Sequence, residues 1–206
     1  AFYQNPYWAV GTNRENDQTN RLVGNVFASW DIIDNINFTT RIGANSYSGV
    51  GKNWRAEQNY NEELQPYHTN VFSFVEDTEF KRNTYTWDAV ISGKFNLTQD
   101  IKLKAIAGSA IFATKYSESF MRANNLSIEG FYDISNGTGE VETRADAEEE
   151  RNIGFFGDIE LSFRDFIYLN ATGRQDYTST LAAGENGYFY PAFGMSFILT
   201  EAVPML

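Results

Sequence analysis

Seven charged residues fall at alternate positions within stretches whose other positions are apolar: Arg41, Asp88, Lys94, Asp158, Glu160, Arg174 and Asp176. Charges of both signs on one row can line a solute path or touch an internal domain. They can also pair with one another and hold neighbouring strands in register. Bond-making chemistry has no comparable support. His68 is the only histidine, in Pro66-Tyr67-His68, and the chain has no cysteine, so neither a catalytic triad nor a nitrogen–sulfur metal set can be assembled around it. It reads as a surface or loop-packing residue. The run at 146–150 joins Asp146 to three glutamates and offers oxygen ligands to a hard cation. It lacks calcium-loop spacing and reads as a solvated acidic loop. Several Asn-x-Ser/Thr matches occur, Asn136-Gly137-Thr138 among them, and those at Asn37, Asn96 and Asn170 fall in or beside strands and carry no weight. With no Gly-x-Ser-x-Gly elbow or phosphate loop, the expectation is a non-enzyme with no cofactor and no metal.

The elements that must position the charges are strands. Over 82–97, Tyr85, Trp87, Ala89, Ile91, Gly93, Phe95 and Leu97 alternate with Thr84, Thr86, Asp88, Val90, Ser92, Lys94 and Asn96, the period of two of an extended chain. The same alternation predicts strands at 20–30, 36–48 and 151–163. In the last, Ile153, Phe155, Gly157, Ile159, Leu161 and Phe163 back Asn152, Asp158, Glu160 and Ser162. Two more strands occupy 168–201: Ile167, Leu169, Ala171 and Gly173 oppose Arg174 and Asp176, and a second apolar row runs from Phe189 through Phe193 and Met195 to Leu199. A strand at 101–114 has no clear facing, because after Lys102 and Lys104 both of its rows are apolar or small.

The connections alternate in length. Turns near 31–35, 98–100 and 164–165 are tight, whereas 49–81 and 115–150 read as long polar loops, the first with a short internal strand near 71–75. The segment 1–19 reads as the end of another loop, in which Tyr7 and Trp8 either join an interfacial aromatic belt or cap a packing cluster. Tight turns at one end and long loops at the other are the asymmetry of a membrane barrel. Loop aromatics Trp54, Tyr60, Phe131 and Tyr132 could stack on sugars or pack beneath a lid.

Composition bounds the rest. In 206 residues, 17 Phe and 12 Tyr favour strands. Mean hydropathy is −0.42 and no run approaches the roughly 18 apolar residues of a membrane helix, while strand alternation hides a barrel from such averages. A net charge of −11 argues against nucleic acid as a partner. Seven strands is an odd number for a bacterial single-chain barrel, so the expectation is about seven strands of a larger wall. There is no signal segment, and the ending Pro204-Met205-Leu206 is not a closing amphipathic strand, so both termini read as internal to a longer protein. The alternative is a soluble all-β carbohydrate-binding module, whose strands also have one apolar face.

GRQDYTSTL followed by YFYPAFGMSFILTE, together with Asn5-Pro6-Tyr7-Trp8 and NRLVGNVFASWDIIDNINFTTRIGANSYS, resembles the late barrel of the SusC/RagA-like TonB-dependent outer-membrane transporters of Bacteroidota. The likeness covers most of the chain and weakens at 50–80 and 115–150. The family usually has Asn-Asp-Trp where this chain has Gln175-Asp176-Tyr177, and Ser where it has Ala192. The resemblance implies an antiparallel transmembrane β-barrel wall over 1–206, with short periplasmic turns and long extracellular loops. It further implies import of oligosaccharides or peptides, a SusD-like surface lipoprotein as partner, and energy from TonB through a plug and contact segment outside this chain. On a barrel the charged row faces the interior and the apolar row the lipid bilayer.

Overall fold

The computed structural model describes residues 5–60 and 70–202. His68 and the ending at 204–206 lie outside the described residues. The chain forms one seven-stranded antiparallel sheet in sequence order: β1 (Arg14–Ile33), β2 (Ile36–Arg55), β3 (Phe74–Asn96), β4 (Ile101–Asn124), β5 (Glu142–Phe163), β6 (Ile167–Thr178) and β7 (Gly187–Phe197). Among the described residues β1 and β7 are unjoined edges. A short helix α1 (Pro6–Thr12) precedes the sheet, started by Pro6 and by the Tyr7 N–H donating to Asn5 Oδ1. A second, α2 (Leu199–Ala202), follows it, so the last strand stops short of the expected 201. Among the described residues no helix is long and apolar enough to cross a membrane, which says nothing of strands. The alternative of a carbohydrate-binding sandwich is not met, because the described strands make a single sheet.

Five strands are much longer than their alternation announced. β1 begins at Arg14 rather than near 20, β2 continues to Arg55, β3 begins at Phe74, β4 continues to Asn124 and β5 begins at Glu142. Residues 14–20 are Arg-Glu-Asn-Asp-Gln-Thr-Asn. With both rows polar there is no contrast to read, and backbone pairing decides the conformation. The acidic run at 146–150, expected in a loop, is therefore strand, and two of its charges, Asp146 and Glu149, are answered by nearby arginines. Arg144 pairs with Glu118 and Asp146, each at 3.1 Å, and Arg151 pairs with Glu149.

Contacts divide the chain into two compact units. The first comprises residues 1–22, 46–83 and 115–148, and the second 23–45, 84–114 and 149–206. The first holds the described buried apolar residues, Ala56, Val75 and Ala123, with buried Ser73 and Asn136 beside them. In it Tyr7 is 89% exposed, so it caps no packing cluster.

In the second unit none of the described large apolar side chains is buried. Its rows nevertheless match from strand to strand. Ile159 pairs with Ala171 and Leu161 with Leu169 across β5–β6, and Ala171 pairs with Phe193 and Leu169 with Met195 across β6–β7. The apolar residues thus share one face and remain open, Phe193 at 84% and Met195 at 77%. The β5–β6 turn places Arg164 and Asp165 at φ +49° and +57°, the left-handed pair of a tight hairpin turn. Both side chains reach the β3–β4 turn: Arg164 Nε donates to Asp100 Oδ1 at 3.0 Å and Lys102 Nζ to Asp165 Oδ2 at 2.6 Å.

Candidate functional site

The polar face of the second unit carries a hollow of about 690 Å³ whose lining includes Arg41, Asp88, Phe112, Arg174, Asp176 and Tyr190. Four of the seven charges singled out in the sequence meet there. Alternation places Arg174 and Asp176 on one face of β6, and Arg174 Nε donates to both carboxylate oxygens of Asp176 at 2.8 and 2.9 Å. The pair lies flat because Gly154 is directly across from Asp176. A Cβ there would stand 2.4 Å from Asp176 Oδ1 and 2.6 Å from Arg174 Nη2. Phe156, opposite Arg174 in register, offers its ring to the guanidinium at 5.9 Å, a contact of modest strength at an open site.

Arg41 and Asp88 behave differently. An added Cβ at Gly43 would meet Thr86 Oγ1, which sets Gly43 across from Thr86 and, in an antiparallel ladder, Arg41 across from Asp88. Opposite charges so placed ordinarily pair. Here Arg41 leans the other way, 5.9 Å from the Phe27 ring of β1, and among the described residues the Asp88 carboxylate has neither ion pair nor hydrogen bond. Its backbone carbonyl accepts from Thr40 Oγ1, which in turn accepts from Trp87 Nε1, both at 3.0 Å.

The other three charges lie outside the hollow. Asp158 accepts from Asn170 Nδ2 across β5–β6 at 2.7 Å. Glu160, opposite Asn170, and Lys94 make no ion pair among the described residues. Across strands this charged row contributes one hydrogen bond, Asn170 to Asp158, while its ion pair lies within β6, so among the described residues it makes no ladder of mutual pairs. Sequence reasoning missed Phe112, Phe156 and Tyr188 on the polar face, since aromatic residues were read as markers of the apolar row. For Phe156 and Tyr188 the even numbering shared with the polar row was the available signal, whereas β4 offered none for Phe112.

The loop aromatics belong to the first unit. Trp54 and Tyr132 stack on each other, centroids 5.3 Å apart and planes at 29°, and burial, then the Glu129 charge, pushes the Tyr132 phenol above its ordinary value. Tyr60 is half-buried, its N–H donating to Asn70 Oδ1 at 2.8 Å, and Phe131 stays 49% exposed. Packing thus occupies Trp54 and Tyr132. The loop around them is folded on buried Asn136, whose amide donates to the carbonyls of Ile128 and Phe131 at 2.8 and 2.6 Å and accepts from the Ile128 N–H at 3.0 Å. Asp133 opens the turn at Ile134–Asn136 by accepting from the Ser135 hydroxyl and N–H. Those bonds hold its carboxyl below the ordinary value.

Three solved structures share this fold. The RagAB peptide transporter matches with a TM-score of 0.82 and 14% identity over 95% of this chain and 21% of that one. The RagAB peptide importer in its closed-closed state gives 0.84 and 14% over 98% and 22%. In its open-open state it gives 0.80 and 15% over 93% and 21%. This chain spans about a fifth of the length of those chains. No protein-family model matches the sequence, and no curated protein does. At such identities the likeness is one of fold: a stretch of antiparallel barrel wall.

Proposed function

We propose that this chain forms part of the wall of an outer-membrane transporter barrel that imports oligosaccharides or peptides, with a SusD-like lipoprotein over its loops and TonB supplying energy through segments outside this chain. One observation carries the reading. In the second unit the uncharged rows of successive strands share a face and bury nothing among the described residues, although they include Trp30, Ile42, Ile91, Phe155, Phe193 and Met195. An apolar surface of this extent calls for an apolar medium, and acyl chains supply one. The charged rows then enclose the conduit, where Arg41, Asp88, Lys94, Asp158, Glu160, Arg174 and Asp176 meet water, solute or an internal domain. The fold shared with RagAB chains supports the same assignment, and the absence of a nucleophile constellation in the sequence leaves binding and passage as its work.

Two adjacent substitutions in the full-length protein test this. Ile91→Arg places a charge on the lipid side at a cost of roughly 2–4 kcal/mol near the midplane. It is expected to abolish or sharply reduce heat-modifiable protein in the outer-membrane fraction. Ser92→Arg, on the opposite face, is expected to assemble nearly as well as the parent. Equal yields from the two would end the proposal.

A further inference from the structure

We propose that Asp88 is a specificity-determining residue of the hollow, a carboxylate held open to receive an amine or guanidinium group of the passing solute. The inference rests on the transport reading and adds to it the charge of the group selected. Of the four charges in the hollow, Arg174 and Asp176 satisfy each other, which leaves Asp88 and Arg41 as its unspent pair. Arg41 stands directly across from Asp88 and yet is turned toward Phe27. The Asp88 backbone is fixed through Thr40 and Trp87, so the carboxylate is presented from a positioned residue while its natural counter-ion is withdrawn. A half-buried carboxylate without a partner favours any cation that can bring hydrogen-bond donors to it. The bulk charge of −11 adds a long-range attraction of the same sign. Phe112 and Tyr190 in the same lining give the aliphatic stem or flat face of such a group an apolar surface.

The test uses the full-length protein reconstituted in lipid and two terminally blocked tripeptides, one with a central arginine and the other with citrulline, its neutral isostere. Calorimetric binding by the parent protein is expected to favour the arginine probe by about tenfold, the scale of one hydrogen-bonded charge contact. Asp88→Asn should remove most of that preference, lowering arginine affinity far more than citrulline affinity, Asp88→Glu should keep it, and Arg41→Gln should strengthen arginine binding by removing a like charge from the hollow. Equal affinity of the parent for the two probes overturns the inference, as does a preference that survives Asp88→Asn. Should Asp88→Asn not assemble, Asp88→Thr, a good strand former without the charge, carries the same comparison. Outer-membrane fractionation of the parent separates the two layers: a barrel that assembles and shows no preference refutes Asp88 alone, whereas a protein absent from that membrane refutes the transport reading.

Discussion

Gly108→Ala should destabilise the protein by about 1–3 kcal/mol, the usual cost of overfilling a packed contact. Gly108 of β4 lies beneath the Phe156 ring of β5. A Cβ at 108 would stand 2.4 Å from Phe156 Cζ, 2.9 Å from Phe156 Cε2 and 2.9 Å from the carbonyl oxygen of Ala89 on β3. Carbon–carbon contacts are comfortable near about 3.5–4.0 Å, so the ring must retreat by about 1 Å or more and surrender its place beside Arg174. The loss of glycine's backbone entropy works the other way, by roughly 0.5–1 kcal/mol, and the clash outweighs it because the Ala89 oxygen is backbone and cannot move aside. In a Phe156→Ala background most of the penalty should vanish, giving a coupling of about 1–2 kcal/mol in a double-mutant cycle. Gly157→Ala is the control: its nearest neighbour would be Ile106 O at 3.8 Å, and the change should stay within about 0.5 kcal/mol. Equilibrium urea unfolding of the full-length protein in lipid vesicles measures all four. The reasoning fails if Gly108→Ala costs no more than Gly157→Ala, or if removing the Phe156 ring leaves its cost unchanged.

Asn136→Leu should cost about 2–3 kcal/mol locally, because two carbonyls and one N–H lose their buried partner. Hydrogen exchange at 125–138 should accelerate by at least about tenfold while β6 keeps its protection. Asp133 has a folded-state pKa below the ordinary 3.8, so its contribution to the loop is complete above that value and lost as pH falls through the lower one. Protection of the Ser135 amide should therefore drop only in that acid window. A Ser135→Ala variant, which removes the hydroxyl hydrogen bond that does most to hold the Asp133 carboxyl down, should show a smaller drop at higher pH.

Alternation announced the second unit because one row there is apolar and the other is not. Ile153 to Phe163 and Phe189 to Phe197 could be placed on their faces from sequence, and register confirms that those rows meet. The strand extensions at 14–20, 49–55, 115–124 and 142–150 were illegible for the opposite reason. Neither row there is consistently apolar, and pairing is sustained by contacts between residues far apart in sequence, such as Lys52 with Asp77 at 3.0 Å and Arg122 with Glu76 at 3.0 Å. The facing of β4, open in the sequence, follows from Thr114 meeting Thr84 at 3.3 Å and Gly108 meeting Phe156, which put the even positions on the polar side. Within the hollow the charges were legible by type and spacing. That Arg41 turns from Asp88 toward Phe27 was not, because it depends on which strand lies on the far side.

The paired contacts at the turns, Arg164 with Asp100 and Lys102 with Asp165, lock one hairpin to the next at their tips. A slip of β4 against β5 by two residues would carry every side chain to an equivalent face, so the alternating pattern alone would tolerate it; these contacts would not survive it. In a closed sheet the accumulated stagger between strands, together with their number, sets the bore. In the barrel wall proposed above, these two surface salt bridges would thereby help to set the width of the opening.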